Sequence, residues 1–126
     1  MIKFSTNDKQ QELTEYCQKW LANLSKCDFE NAQQLIDIPN CYGVKWGERE
    51  LKEVVIDYFD QETDVTFQNL DITTCYPEFI ESDDGTLLFG FYLPANDELT
   101  DLTVQFEFQP NTGMQYLATI NDVHVL

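Results

Sequence analysis

The spacing of apolar residues in this sequence changes once, near residue 65, and the change limits what the chain can fold into. Before it, apolar residues recur three and four positions apart, which is the spacing of one helix face. After it, apolar and polar residues alternate, as they do in strands with one buried face. Helices followed by strands indicate an α+β domain rather than a parallel sheet with crossover helices.

Three helices are predicted in the first part of the chain. The first covers residues 7–25, with a polar cap among residues 5–7. The second is short, begins after the expected cap Asp28, and ends before Pro39, because a residue that precedes proline avoids the helical region. The third covers residues 48–59, and the segment before it is expected to be a loop or a short strand.

About four antiparallel strands are predicted in the second part, at residues 74–80, 86–93, 102–109 and 114–125. Sequences rich in Asp, Asn, Gly and Pro separate them, as is typical of turns. The polar residues 94–100 are expected to form a loop. A bulge is expected in the last strand, because its alternation changes phase once.

A single α+β domain over residues 1–126 follows, in which three N-terminal helices pack on a curved antiparallel sheet of about four strands. One face of the sheet is apolar, and helices must cover it. This layout resembles that of NTF2-like or cystatin-like domains, which pack a long helix into a bent antiparallel sheet. Six aromatic residues are expected in the core or, alternatively, around a ligand pocket: Trp20, Phe29, Phe89, Phe91, Phe106 and Phe108.

The formal net charge is −16, and it is unevenly distributed. All seven lysines and arginines lie within the first 52 residues, together with eight acids, whereas residues 53–126 hold fifteen acids and no lysine or arginine. A uniformly negative surface repels nucleic acids and anionic membranes, and it speeds association with basic proteins. We therefore expect a basic protein partner, no nucleic acid and no membrane. The alternative is that the acids only keep the protein soluble.

The sequence carries no nucleophile elbow, phosphate-binding loop, zinc-protease motif or dinucleotide motif. His124 is the single histidine, and alternation places it on the polar sheet face, where a structural role is favoured over that of a general base. Residues 60–64 have carboxylates that could hold a cation, but a solvated loop is favoured because the pattern of a calcium loop is incomplete. We expect no enzymatic activity, no cofactor and no metal. The cysteines lack zinc-ligand spacing and are expected to be free thiols: Cys17, Cys27, Cys41 and Cys75.

A second resemblance is carried by Trp20-Leu21, Asp28-Phe29, Leu35-Ile36, and the stretches 101–107 and 121–125. Similar patterns occur in small acidic bacterial proteins, and the chain resembles immunity proteins of toxin systems, including contact-dependent inhibition. The resemblance implies a non-enzymatic protein that neutralises a cognate toxin domain. We expect a monomer or a weak dimer. The lack of an apolar leader or membrane segment predicts a cytoplasmic location.

Ten residues form the expected partner-binding site. Its acids would pair with the lysines and arginines that a nuclease-type toxin uses to hold phosphates. Two acidic turns, at residues 83–85 and 96–98, are expected on one rim of the sheet. Two aromatic residues stand beside glycines in an irregular segment, as interface anchors often do. The residues are Glu78, Glu81, Asp83, Asp84, Asp97, Glu98, Asp101, Glu107, Tyr42 and Trp46.

Two other functions stay open at the level of sequence. An NTF2-like small-molecule-binding protein or enzyme would keep an enclosed pocket with a polar group at depth. A soluble accessory domain would have no partner whose binding depends on salt.

Overall fold

The computed structural model describes residues 1–60 and 64–126, and its architecture is α+β. Within that part of the chain, five strands form one antiparallel sheet in the order β1-β5-β4-β3-β2. Bulges interrupt the pairing of β3 with β4 and of β4 with β5 and bend the sheet. The elements are β1 (Ile2–Lys3), α1 (Lys9–Ser25), α2 (Phe29–Gln34), α3 (Glu48–Phe59), a 3-10 turn (Ile72–Thr74), β2 (Glu78–Glu81), β3 (Leu87–Ala95), β4 (Glu98–Pro110) and β5 (Gln115–Val125).

The predicted arrangement of three N-terminal helices on about four strands is wrong in two respects. A short strand, β1, precedes the helices and pairs with β5, so that Ile2 lies opposite Tyr116 and the sheet has five strands. Only α1 and α2 are N-terminal, and α3 lies near the middle of the chain. Two residues are too few to show alternation, which is why β1 has no signal in the sequence. The NTF2-like or cystatin-like layout, which depended on the predicted element order, is therefore not supported.

Two strand boundaries also differ from the prediction. The polar residues 94–100 belong to β3 and β4, which meet in a tight hairpin where Asn96 and Asp97 have φ values of 51° and 63°. Asn and Asp tolerate the left-handed conformation that such hairpins require. The polar sequence therefore predicted a loop, although the residues form a tight turn between two paired strands. The strand predicted at residues 74–80 is shorter, because the 3-10 turn occupies its beginning.

Side-chain caps explain where the first two helices begin. Asp8, one residue beyond the predicted caps, accepts a hydrogen bond from the first turn of α1. Glu12 accepts hydrogen bonds from the backbone N–H and the hydroxyl groups of both Ser5 and Thr6. These four bonds lower the pKa of Glu12 to about 2. Asp28 caps α2, as predicted.

The apolar face of the sheet, called here the inner face, is covered by α1. Trp20 is 1% exposed, and its ring meets those of Phe91 and Phe106 edge-on, with centroids 6.2 and 5.2 Å away. Phe29 is only half-buried and packs at the margin of this core. The prediction of a core position is confirmed for the other five aromatic residues, Trp20, Phe89, Phe91, Phe106 and Phe108.

The edge of β5 beyond β1 is covered by the loop that follows α2. The backbone N–H groups of Asp37 and Ile38 donate to Ala118 O at 2.8 and 3.4 Å. The Asp37 carboxylate also accepts a hydrogen bond from Ala118 N at 2.8 Å. The loop thus occupies backbone groups that an open sheet edge would leave unpaired. No helix in the described ranges is both long enough and apolar enough to span a bilayer.

Candidate functional site

The opposite face of the sheet, called here the outer face, carries the residues that alternate with the core. The cross-strand register places Glu78, Gly90, Gln105 and Asp122 in one row across β2, β3, β4 and β5. Residues of one row stand close enough to act on the same ligand. The neighbouring rows contain Tyr92, Thr103 and His124 on one side and Ile80, Leu88, Glu107 and Thr119 on the other.

A groove of about 130 Å³, called here the Gly90 groove, lies over β2, β3 and β4. Gly90 adds no side chain to its lining, and a Cβ at this position would stand 3.4 Å from Thr103 Cγ2. Tyr76 and Tyr92 line it as a tilted pair of rings with centroids 5.4 Å apart. The lining is completed by Glu78, Ile80, Leu88, Thr103, Gln105 and Leu126.

A second groove of about 270 Å³, called here the Tyr42 groove, lies over β4 and β5. Gln105 lines both grooves, so the two are neighbours on one surface. The acids that line them are Glu78, Glu107 and Asp122, and neither lining contains a lysine or an arginine. The Tyr42 groove is lined by Cys41, Tyr42, Gln105, Glu107, Asn121, Asp122 and His124.

Asn40 fixes the loop that carries Tyr42. Its side chain is buried, and its Nδ2 donates to Ile120 O and Asn121 O of β5, both at 3.1 Å. Its Oδ1 accepts from Tyr42 N at 2.9 Å and Val44 N at 3.1 Å. One carboxamide therefore joins the loop to the strand, while the Tyr42 side chain itself stays 83% exposed.

Local hydrogen bonds orient the acids of the Tyr42 groove. Glu107 accepts from Gln109 Nε2 at 2.8 Å and from Asn121 Nδ2 at 3.4 Å. Asp122 accepts from Val123 N at 2.9 Å with one oxygen, and its other oxygen lies 3.2 Å from His124 Nδ1. The carboxylates are thus held on the outer face, with the single histidine beside them as alternation predicted.

Four of the ten predicted site residues are brought together. Glu78, Glu107 and Tyr42 line the two grooves. Trp46 shares a hollow with Tyr42 and Asp122 at the margin of the Tyr42 groove, but it is half-buried against the core. Of the two predicted anchors, Tyr42 is therefore the one that is free to contact a partner.

Other predicted acids stand away from the grooves and support the fold. Glu81 lies on the inner side of β2, opposite Leu87, and pairs with Lys9 at 2.8 Å; the hydrogen bond raises the pKa of Lys9. Asp101 accepts from the Tyr58 hydroxyl of α3 at 2.6 Å, which raises the pKa of Tyr58. Asp84 accepts from Thr86 N within the turn, and this bond lowers the pKa of Asp84.

The two acidic turns do not share a rim of the sheet. Asp83 and Asp84 precede β3, whereas Asp97 and Glu98 follow it. Successive turns of a meander lie at alternate ends of the strands. Because β3 has nine residues, the two turns are about 30 Å apart along the strand.

Several residues of the outer face were not predicted as site residues. Alternation along the strands places Gln105 and Asp122 on the polar face. The sequence does not show that they lie opposite each other, because the pairing of β4 with β5 sets this. Tyr76 is 72% exposed and has a φ of 51°, which no local pattern indicates. A search for polar residues opposite the apolar ones would have found the first two but not the third.

The four cysteines are free thiols, as predicted, with Cys17 and Cys75 buried and Cys27 and Cys41 exposed. Burial raises the pKa of both buried thiols. Among the described side chains, no group of three or more His, Cys, Asp or Glu is arranged to hold a metal ion. The cation loop weighed for residues 60–64 includes residues 61–63, which lie outside the described ranges.

Comparisons with protein-family models, with curated proteins and with solved structures find no match for this chain. The resemblance to immunity proteins therefore stays a prediction, and function has to be argued from the outer face itself.

Proposed function

We propose that this protein is a non-enzymatic binding protein of the bacterial cytoplasm, an immunity protein that neutralises a basic toxin of nuclease type. The observation that carries the proposal is the composition of the outer face. Its two adjoining grooves are lined by Glu78, Glu107 and Asp122, and by no lysine or arginine. Exposed tyrosines, Tyr42 and Tyr76, stand beside them.

Such a face suits a basic protein for three physical reasons. Carboxylates on one surface attract a basic partner from a distance and raise its association rate. Exposed tyrosines supply contact area with little loss of side-chain entropy, which makes them effective anchors. Bound carboxylates would also occupy the lysines and arginines with which a nuclease holds phosphates. The filled inner face, where Phe91 and Phe106 are 0% exposed, gives a small-molecule pocket in the core no support.

The proposal is tested by protection of growth. The product of the neighbouring gene is expressed in bacteria from an inducible promoter, with and without this protein. We expect growth arrest by the neighbour alone and recovery when both are present. Absence of arrest, or arrest that this protein does not relieve, contradicts the proposal.

A charge-reversal pair then tests the assigned face. Glu78→Lys with Asp122→Lys changes the outer face, and Glu30→Lys with Glu53→Lys makes the same charge change at exposed positions outside both grooves. We expect the first pair to slow association with the toxin about tenfold or more at low salt and to flatten its salt dependence. Equal slowing by the control pair would show that net charge, and not the outer face, directs binding.

A further inference from the structure

We propose that the Gly90 groove is the binding site for one arginine side chain of the partner protein. The inference rests on the proposed function, because it takes the partner to be basic, and it names the side chain by which that partner is anchored. Three independent features of the groove support it: the missing side chain at Gly90, the ring pair and the acceptor groups around it.

The opening exists because a glycine interrupts β3. The residues beside Gly90 in β3 have large side chains, among them Phe89, Phe91 and Tyr92. Glycine weakens a strand, and inside a strand it often marks a place where a ligand approaches the backbone. Alanine would fit without displacing the strand, since its Cβ would stand 3.4 Å from Thr103 Cγ2. The open space is therefore not required by packing.

The ring pair is held in place by the backbone. Tyr76 is tied to β3 through the preceding residue, because Tyr92 N donates to Cys75 O at 2.9 Å. The rings of Tyr76 and Tyr92 are inclined by 46°. An aromatic ring attracts a cation over its face, and the planar guanidinium group of arginine stacks on it.

The acceptors of the groove match the donors of a guanidinium group. Glu78 and Gln105 flank Gly90 in the same row, and the Glu78 side chain is exposed. A guanidinium group has five N–H donors in a fixed plane and pairs with a carboxylate through two bonds. A lysine ammonium group lacks this plane and is more strongly hydrated. Arginine therefore fits the groove better than lysine does.

Thr103 contributes an apolar contact to the groove, whereas its hydroxyl is buried. Thr103 is 8% exposed, and its Oγ1 is buried without a hydrogen-bond partner in the described part of the chain. A buried hydroxyl that makes no hydrogen bond destabilises the fold. Thr103 lines the groove with its methyl group, since Cγ2 is the side-chain atom that a Cβ at Gly90 would meet.

The test uses three blocked tripeptides whose central residue is arginine, lysine or citrulline, the neutral isostere of arginine. Each is titrated into the isotopically labelled full chain, and binding is followed by the backbone amide NMR signals. We expect the arginine peptide to shift the signals of Gly90 and Thr103, the lysine peptide to bind several-fold more weakly, and the citrulline peptide about tenfold more weakly. Equal binding of the arginine and citrulline peptides, or shifts confined to other surfaces, would overturn the proposal.

Variants locate the site. We expect Gly90→Val to abolish binding of the arginine peptide and Glu78→Gln to weaken it about fivefold. Thr119→Val, which removes a buried hydroxyl outside the groove, should leave it unchanged. The amide spectrum of each variant reports folding, and Glu78→Gln keeps the test decisive where Gly90→Val unfolds. Unchanged binding in Glu78→Gln contradicts the proposal.

The two proposals can fail separately. The peptide titration needs no toxin, so failed growth protection leaves the arginine site standing as a binding site of unassigned purpose. If growth is protected but the arginine peptide does not bind, the arginine site is wrong and the immunity function stands.

Discussion

The two faces of the sheet use alternate residues of the same strands in opposite ways. On the inner face of β4, Val104, Phe106 and Phe108 are 0% exposed. Between them on the outer face lie Gln105 and Glu107, which line the grooves. Because successive side chains of a strand point to opposite faces, neighbouring positions can serve stability and recognition independently. Substitutions on the inner face should change folding, and those on the outer face should change binding.

The largest expected effect comes from emptying the inner face. Phe106→Ala removes a ring that is 0% exposed and stacks with Phe91 and Phe108. We expect it to lower the free energy of unfolding by about 3–5 kcal/mol, because it leaves a cavity among aromatic residues. Urea unfolding measures the change. The next residue provides the control, since Glu107→Ala should cost about 1 kcal/mol or less. Equal losses at the two positions would contradict the separation of the faces.

The next largest effect concerns the loop that carries Tyr42 and that Asn40 joins to β5. Asn40→Ala removes four hydrogen bonds at once. We expect the free energy of unfolding to fall by about 2–3 kcal/mol, because buried backbone groups lose their hydrogen-bond partners. Amide hydrogen exchange at Val44 should accelerate more than that of the core strands. Asn111→Ala, in an exposed turn, is the matched control and should change neither quantity.

A smaller effect of opposite sign is expected from the two unpartnered hydroxyls. Thr103→Val and Thr119→Val replace buried hydroxyls that make no hydrogen bond within the described residues. Each should raise the free energy of unfolding by about 1 kcal/mol, since valine has the same shape without the polar atom. Thermal unfolding measures both. A loss of stability in either variant would contradict this prediction.

The smallest effect is on the pH dependence of stability. It distinguishes acids that stabilise the fold, such as Glu12, from acids exposed on the outer face. The pKa of Glu12 is about 2 in the folded protein against an ordinary value of 4.5. The folded state therefore binds fewer protons than the unfolded chain between these values. The contribution of Glu12 to stability is complete above about pH 4.5 and is lost as the pH falls towards about 2.

Urea midpoints between pH 2 and 5 provide the measurement for Glu12. We expect the midpoint to fall with decreasing pH more steeply in the unsubstituted protein than in Glu12→Gln. Glu30→Gln, at an exposed position of α2, should keep the full pH dependence. Identical slopes for Glu12→Gln and the unsubstituted protein would show that the four bonds to Ser5 and Thr6 do not persist in solution.

Periodicity predicted the elements that repeat over many residues. The stripe of α1 and the alternation of β3 and β4 are local patterns, and they led directly to the buried positions of Trp20 and the strand phenylalanines. The short strand β1 and the hairpin at Asn96 have no such pattern. Pairing with β5 determines β1, and left-handed backbone angles determine the hairpin. The candidate site was predicted only in part for the same reason.

The sequence by itself determined the α+β class, which strand residues face the core, and the negative sign of the surface. These properties follow from backbone geometry and composition, which act over a few residues. Only the tertiary structure decided which acids share a surface. Glu78 and Asp122 are far apart in sequence yet lie in one row, whereas Glu78 and Glu81 belong to the same strand and face opposite ways. Strand order, bulges and loop anchoring set that outcome, and these depend on contacts between distant parts of the chain.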